Sequence, residues 1–200
     1  MENIKFIQRP DSVSWDEIHA VLYAAHSVNL AEGFCQATGN LSGKDLADTV
    51  GNGVCFIAMD GDKVIGTASV KKRSLSTWFS RGDTAYFMAA GVLPEYQGKG
   101  VYKTLNNLRE AYVKEQNIAV SYCLTHEKNV KIQNFFIKHL GFKKAGYIAP
   151  RGLDYFSILM VRWDNPPSAW YVSFRYYFSR IMTTIFNCKR KIHQYSSCKH

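Results

Sequence analysis

Apolar positions along the first 163 residues recur with two different periods, and the switches between them mark out the elements. The apolar run 4–8, ended by Pro10, predicts an edge strand. Ser14 is placed to cap a helix whose Trp15, Ile18, Leu22 and Ala25 share one face, and Glu17 three residues on completes a capping box. A shorter helix is predicted over 44–50. The β-rich runs 54–59 and 63–70 are joined by Asp60-Gly61, a strong two-residue hairpin signal. Residues 84–92 predict another strand. Val101, Leu105, Leu108 and Tyr112 then step by four, three and four, the stripe of an amphipathic helix. A strand over 119–124 leads to a helix over 130–140 that Gly141 closes at its C′ position. Two strands, 144–148 and 155–163, finish the pattern. The order β-α-α-β-β-β-α-β-α-β-β predicts a mixed α/β sheet.

Composition changes the picture at one place. At Asn165-Pro166-Pro167 regular structure stops, and no acid follows. This predicts a domain over 1–165 and an extension over 166–200. The extension holds Arg175, Arg180, Lys189, Arg190, Lys191 and Lys199, six of the 25 basic residues. That leaves 19 basic residues against 16 acidic ones, a net of +3, in the core. The overall charge of +9 is therefore mainly a property of the tail and says little about what the core binds. With 46% apolar and 20% charged residues the chain is neither disordered nor collagen-like. No apolar run approaches the roughly 18 residues of a membrane span. The start, Met1-Glu2-Asn3-Ile4-Lys5-Phe6, carries an early acid and no apolar export segment. Cys35, Cys55, Cys123, Cys188 and Cys198 are odd in number and widely spaced, which suits reduced thiols. The expectation is a cytoplasmic protein.

In the extension, Trp170, Phe174, Tyr177, Ile181 and Ile185 are spaced by four, three, four and four, ahead of the cluster Lys189-Arg190-Lys191. This predicts an aromatic-rich, basic amphipathic helix. Two readings stay open: packing on its own domain or on a second copy as a homodimer, and lying on an anionic membrane surface through 168–191. Nucleic acid is disfavoured. Cys188, His193, Cys198 and His200 match no zinc spacing, so no metal site is expected.

The chemistry concentrates in Gly91-Val92-Leu93-Pro94-Glu95-Tyr96-Gln97-Gly98-Lys99-Gly100-Val101-Tyr102-Lys103. A strand ends, a proline breaks it, and two glycines open a helix. Backbone N–H groups and the positive end of the helix dipole at such a start hold phosphate oxygens. Neither the Walker A spacing nor the dinucleotide fingerprint is present. On spacing alone a plain glycine-hinged helix start explains the stretch equally well.

The run Val92-x-Pro94-Glu95-Tyr96-Gln97-Gly98-Lys99-Gly100-Val101 resembles the acetyl-CoA-binding motif of the GNAT superfamily of N-acetyltransferases. Asn129, Phe135-Phe136 and Gly141-Phe142 resemble its second motif. The resemblance covers about residues 3–163 and implies the GNAT fold. That fold is a mixed central sheet of six to seven strands with helices on both faces, here followed by the basic C-terminal helix. It implies acetyl-CoA as acyl donor, with the amides of Gln97, Gly98, Lys99, Gly100, Val101 and Tyr102 around the pyrophosphate. It places Lys103 and Lys99 near the phosphates, the Val92 amide at the pantetheine arm or thioester carbonyl, and Asn129 on pantetheine. Two positions depart from the pattern. Tyr102 stands where Gly or Ala is usual, and Phe136 and Ile137 stand where many members carry a tyrosine acid.

The implied activity is direct acetyl transfer to a primary amine, with a small molecule such as an amino sugar or amino acid derivative expected as acceptor. Candidates for the proton-accepting base are Glu127, His126 and Tyr86; Tyr147 and Tyr155 are candidate acids. Two other classes stay open: a membrane-surface acyltransferase acting on a lipid or lipid-linked acceptor, and a non-catalytic acyl-CoA-binding module.

Overall fold

The computed structural model describes residues 4–31, 41–148 and 156–197, with side chains of the last helix as far as Ile185. The elements follow in the expected order: β1 (Ile4–Gln8), α1 (Trp15–Ala31), α2 (Gly43–Val50), β2 (Val54–Asp60), β3 (Lys63–Ser76) and β4 (Arg81–Val92). After a 3₁₀ turn at Pro94–Tyr96 come α3 (Val101–Glu115), β5 (Val120–His126), α4 (Val130–Leu140), β6 (Lys143–Ile148), β7 (Ser157–Trp163) and α5 (Ala169–Ser197). The chain forms two compact units, Met1–Ser121 and Tyr122–His200.

In the first unit β1, β2, β3 and β4 pair antiparallel in sequence order. The β2–β3 hairpin closes as Asp60-Gly61 requires, with Gly61 at φ +59. The Glu17 N–H donates to Ser14 Oγ at 3.1 Å and so caps α1, and Ser42 with Asp45 forms a complete capping box on α2. Ile18 and Leu22 of α1, Leu46 of α2, Ile57, Ile65 and Leu105 meet in the core. β3 runs six residues beyond the predicted 63–70, and β4 starts three residues before 84. This extension is an exposed ribbon carrying the Lys72–Asp83 ion pair at 2.7 Å, so no hydrophobic alternation announces it.

The buried stripe of α3 also differs from the expected one. Val101, Leu105, Arg109 and Val113 are buried, whereas Leu108 and Tyr112 are only half-buried. A charged side chain occupies the core face because backbone carbonyls surround its guanidinium.

In the second unit the strand order is β5-β7-β6, with β6 and β7 antiparallel. Asn129 caps α4 by accepting the Ile132 N–H at 3.2 Å, and Gly141 at φ +69 ends the helix as predicted. The expected start of β7 at Tyr155 lies outside the described residues; the strand begins at Ser157.

Beyond Pro166-Pro167, α5 packs on the edge strand β6. The Tyr147 N–H donates to Ser179 Oγ at 2.8 Å, and Thr183 Oγ1 donates to the Tyr147 carbonyl at 3.2 Å. The helix thus supplies the hydrogen bonds that a further strand would have made. Its inward positions are Val172, Tyr176, Ser179 and Thr183, at spacings of four, three and four. The aromatic stripe read from the sequence lies on the other side of the helix. Trp170 is 74% exposed, Tyr177 60% and Ile181 58%. The helix does pack on its own unit, but not through that stripe.

Candidate functional site

β4 is irregular where the site begins. Its pairing with β3 shifts between Thr67–Gly91 and Ser69–Met88, so β4 carries one extra residue, and Ala89 sits at φ +45. α1 approaches this bulge closely. A Cβ on Gly91 would lie 2.7 Å from the Ala25 methyl, so only glycine fits. His26 Nε2 lies 3.2 Å from the Ala90 carbonyl and donates to it. Burial lowers the His26 pKa, and this bond opposes part of the fall.

From α3, the buried Arg109 Nη1 donates to the Ser69 carbonyl at 3.3 Å and, at 3.5 Å, to the Met88 carbonyl beside the bulge. Its Nη2 donates to Asn106 Oδ1, and the guanidinium sits 4.4 Å from the centre of the Phe87 ring. Tyr86 lies one position before Phe87, and the Arg73 guanidinium lies 5.6 Å from its ring centre.

After Val92 the chain turns sharply and is tied down. Leu93 N–H donates to the Ile65 carbonyl, Tyr96 OH donates to Asp60 at 2.7 Å, and Glu95 pairs with Lys63 at 3.1 Å. That bond from Tyr96 to a carboxylate raises the phenol's pKa and keeps it a donor. Gln97 Nε2 donates to the Val92 carbonyl at 3.1 Å. Gly98 and Gly100 follow at φ +76 and φ +82, conformations that favour glycine. Among the described residues, chain neighbours aside, no atom lies within 4 Å of the position a Cβ would take on either.

Gly100 stands at the N-cap of α3 with no side chain capping the helix and no acid in its first turn. The first-turn N–H groups and the positive dipole end are therefore left for an outside acceptor. Lys99 Nζ lies 5.2 Å from the Tyr96 ring centre. Tyr102 is half-buried and packs against the core of the unit.

A second cluster belongs to the other unit. The end of β5 is held by α4: buried Gln133 donates its amide to the carbonyls of His126 at 3.0 Å and Glu127 at 2.8 Å. The Glu127 N–H donates to Phe156 O at 2.9 Å. Glu127 is half-buried, and its carboxylate accepts a short hydrogen bond from the Tyr147 hydroxyl. Burial first, and then that bond, push the Tyr147 pKa well above the ordinary phenol value, so the hydroxyl stays a donor. Phe156 lies 5.0 Å from the Tyr147 ring centre, Tyr176 at 6.4 Å, and the Arg180 guanidinium at 6.0 Å.

His126 is buried, and its Nδ1 accepts the Lys128 N–H at 3.1 Å. The neutral ring therefore carries its proton on Nε2, and burial lowers the pKa. Asn129 spends its Oδ1 on the α4 cap, which leaves Nδ2 as the end it can offer.

The first unit thus brings together Val92, Gln97, Gly98, Lys99, Gly100, Val101, Tyr102 and Lys103, and also carries Tyr86 on β4. The second brings together His126, Glu127, Asn129 and Tyr147. Tyr155 lies outside the described residues. Sequence reasoning missed Arg109, Asn106, Gln133 and the bulge. Arg109 could have been found as the residue four after Leu105 on the stripe.

The uncapped glycine turn that opens α3 leaves its first-turn N–H groups to an anionic ligand, beside a bulged strand. The model of the acetyltransferase (GNAT) family matches residues 18–142, more than half of the chain, and the chain belongs to that family. It is an acyltransferase with acetyl-CoA as its acyl donor. No curated protein matches the chain.

Solved structures match its fold. An acetyltransferase from Streptococcus agalactiae is 16% identical at a TM-score of 0.59, over 82% of this chain and 99% of that one. The ribosomal-protein-S18-alanine N-acetyltransferase from Escherichia coli is 14% identical at 0.60, over 84% and 97%. A chain of the NatC complex bound to Gag peptide and CoA is 14% identical at 0.59, over 82% and 99%. Among the described residues no helix is long and apolar enough to cross a membrane.

Proposed function

We propose that residues 1–165 transfer the acetyl group of acetyl-CoA directly to the primary amine of a small molecule, such as an amino sugar or amino acid derivative. The observation that carries the cofactor half is the pair Gly98 and Gly100, left-handed, with open space above both Cα atoms at an uncapped helix start. The amides from Gln97 to Tyr102 hold the pyrophosphate there, where a Cβ would intrude. Lys99 and Lys103 add charge, and the Asn129 amide and the Val92 N–H meet the pantetheine arm and the thioester carbonyl. The bound donor supplies an activated acetyl carbon.

Of the three candidate bases, Glu127 fits best. It is an acceptor-only group when ionised, half-exposed, and oriented by the Tyr147 hydroxyl. His126 keeps its Nδ1 on the Lys128 N–H, and Tyr86 lies under Arg73. Glu127 takes a proton from the incoming ammonium, which frees the nitrogen lone pair. The C–N bond then forms and the C–S bond breaks; of the two protons the nitrogen gives up in all, one is taken by the departing sulfur and the other leaves to solvent. Tyr147 acts through Glu127 as a positioning residue. The weak net charge of the core, +3, favours a small acceptor over a strongly basic protein. The buried cysteines Cys55 and Cys123, neither in a disulfide, suit a reducing, cytoplasmic compartment.

Coenzyme A release over a panel of amines and peptides tests this reading. Turnover with small amines, reduced about 100-fold or more by Glu127→Gln while acetyl-CoA binding is kept, is the expected result. Turnover with protein N-termini or lysines alone would overturn the acceptor, and a fully active Glu127→Gln would overturn the base.

A further inference from the structure

α5 has a partly polar side that meets β6 and an opposite apolar side that is exposed among the described residues. Val172, Tyr176, Ser179 and Thr183 face β6, and Ser179 and Thr183 bond its backbone at Tyr147. On the other side Trp170, Phe174, Tyr177, Phe178, Ile181 and Ile185 are exposed by 45 to 74%. The aromatic members form a stacked ladder there: the Trp170 and Phe174 rings are 5.5 Å apart, and Phe174 and Phe178 5.7 Å. A water-facing helix does not ordinarily keep so continuous an apolar strip.

The charge around the strip says what covers it. Residues 166–200 hold six basic side chains and no acid. A groove of about 300 Å³ runs along one flank of the strip, lined by Lys143 and Lys144 of β6 and by Ser173, Tyr176 and Tyr177 of α5. A second copy of the chain would add six more positive charges and no acid to those of this extension, so charge gives a symmetric pairing through α5 no complement. Nucleic acid would need its cations on the contacting face, where this helix carries aromatic and aliphatic groups instead. An anionic bilayer surface meets both features. Its headgroups take the lysines and arginines, and its acyl boundary takes the tryptophan, tyrosine and isoleucine side chains.

We infer that the outward face of α5 between Trp170 and Ile185 seats the enzyme on anionic phospholipid, lying in the plane of the membrane without crossing it. The Lys143–Lys144 groove receives a phosphate headgroup beside Tyr177. This inference concerns where the protein sits and is independent of the acceptor proposed above.

Sedimentation of the full-length protein with vesicles tests it, since removing α5 would leave the Tyr147 N–H and carbonyl of β6 without their α5 partners. Two vesicle types are compared, pure phosphatidylcholine and phosphatidylcholine with roughly 30 mol% phosphatidylglycerol. The expected result is pelleting with the anionic vesicles only, weakened when salt is raised from about 0.1 M to about 0.5 M. The triple variant Trp170→Ser, Phe174→Ser, Ile181→Ser should bind at least about tenfold more weakly, a loss of about 1.4 kcal/mol, while it still binds acetyl-CoA. Lys143→Glu with Lys144→Glu should lower anionic binding without touching the strip. No pelleting, equal pelleting with neutral vesicles, or unchanged binding by the triple variant would each overturn the inference. So would a dimer of the parent protein in solution that the triple variant converts to monomer.

Discussion

Replacing Gly100 by alanine separates a backbone cost from a cofactor cost, because the structure provides a matched control. Gly100 at φ +82 and Gly61 at φ +59 both adopt conformations in which a side chain is strained, and neither has an atom within 4 Å of its Cβ position. Steric crowding inside the protein is therefore zero at both sites, and only the left-handed conformation is penalised. That penalty is about 1 kcal/mol for either alanine variant, roughly a fivefold change in the folding equilibrium. The two should lower the urea midpoint by similar amounts.

They should part company when acetyl-CoA is added. At Gly61 the new methyl sits on a hairpin tip. At Gly100 it stands over the start of α3, in the space assigned to the pyrophosphate. Pushing the phosphates off one backbone N–H forfeits a charge-assisted bond of about 1.5–3 kcal/mol, which is about 10- to 100-fold in the dissociation constant. Titration calorimetry should thus show unchanged affinity for Gly61→Ala and a loss of that size for Gly100→Ala. Gly100→Glu should lose more by charge repulsion, yet be no less stable than the alanine variant, since a carboxylate at a helix start is favourable. Equal affinities for Gly100→Ala and the parent, or an equal loss in Gly61→Ala, would refute the placement of the pyrophosphate.

Two further outcomes follow from the buried polar groups of the first unit. Arg109→Met leaves the buried Asn106 Oδ1 and the Ser69 carbonyl without their donor, and should cost about 2–4 kcal/mol by urea denaturation; a loss below about 0.5 kcal/mol would show that the guanidinium is dispensable. Burial holds the His26 pKa below the ordinary 6.5, so the unfolded chain takes up a proton that the folded chain refuses. Stability is therefore full above 6.5 and is lost as the pH falls below it. His126 contributes in the same direction. Thermal melts should fall from about pH 7 to about pH 5, and less steeply in His26→Gln; identical slopes would remove His26 from the account.

What could be read from the sequence follows from which physical signals are local. β1 and α4 have the predicted boundaries, because a proline, an asparagine cap and a glycine at C′ fix them within a few residues. The glycine turn was legible for the same reason. The β3–β4 extension was not, since an exposed ribbon has no buried face to impose alternation. The α3 stripe was read one position off at Leu108, because periodicity favours apolar side chains and cannot see carbonyls waiting for Arg109. In α5 the strip Trp170–Ile185 was legible as a strip, but periodicity says nothing about which side meets the protein. The side that does is partly polar, because it bonds an edge strand. The Tyr147–Glu127 pair joins residues twenty positions apart, one on β6 and the other just past the end of β5, and only the order β5-β7-β6 brings them together.

These unread features share a cause. A sheet satisfies its own backbone wherever the ladder is regular, and it fails to do so at a bulge, at a strand end and at an edge. At several such places among the described residues a side chain takes over: Arg109 and His26 at the bulge beside Ala89, Gln133 at the end of β5, and Ser179 with Thr183 at Tyr147 of β6. These are also the places from which Val92, Glu127 and Tyr147 are presented. Candidate residues presented from interrupted ladders need polar side chains within their own unit to hold them in place. Their replacement should therefore disturb the site through the backbone, even though none of them touches a reacting atom.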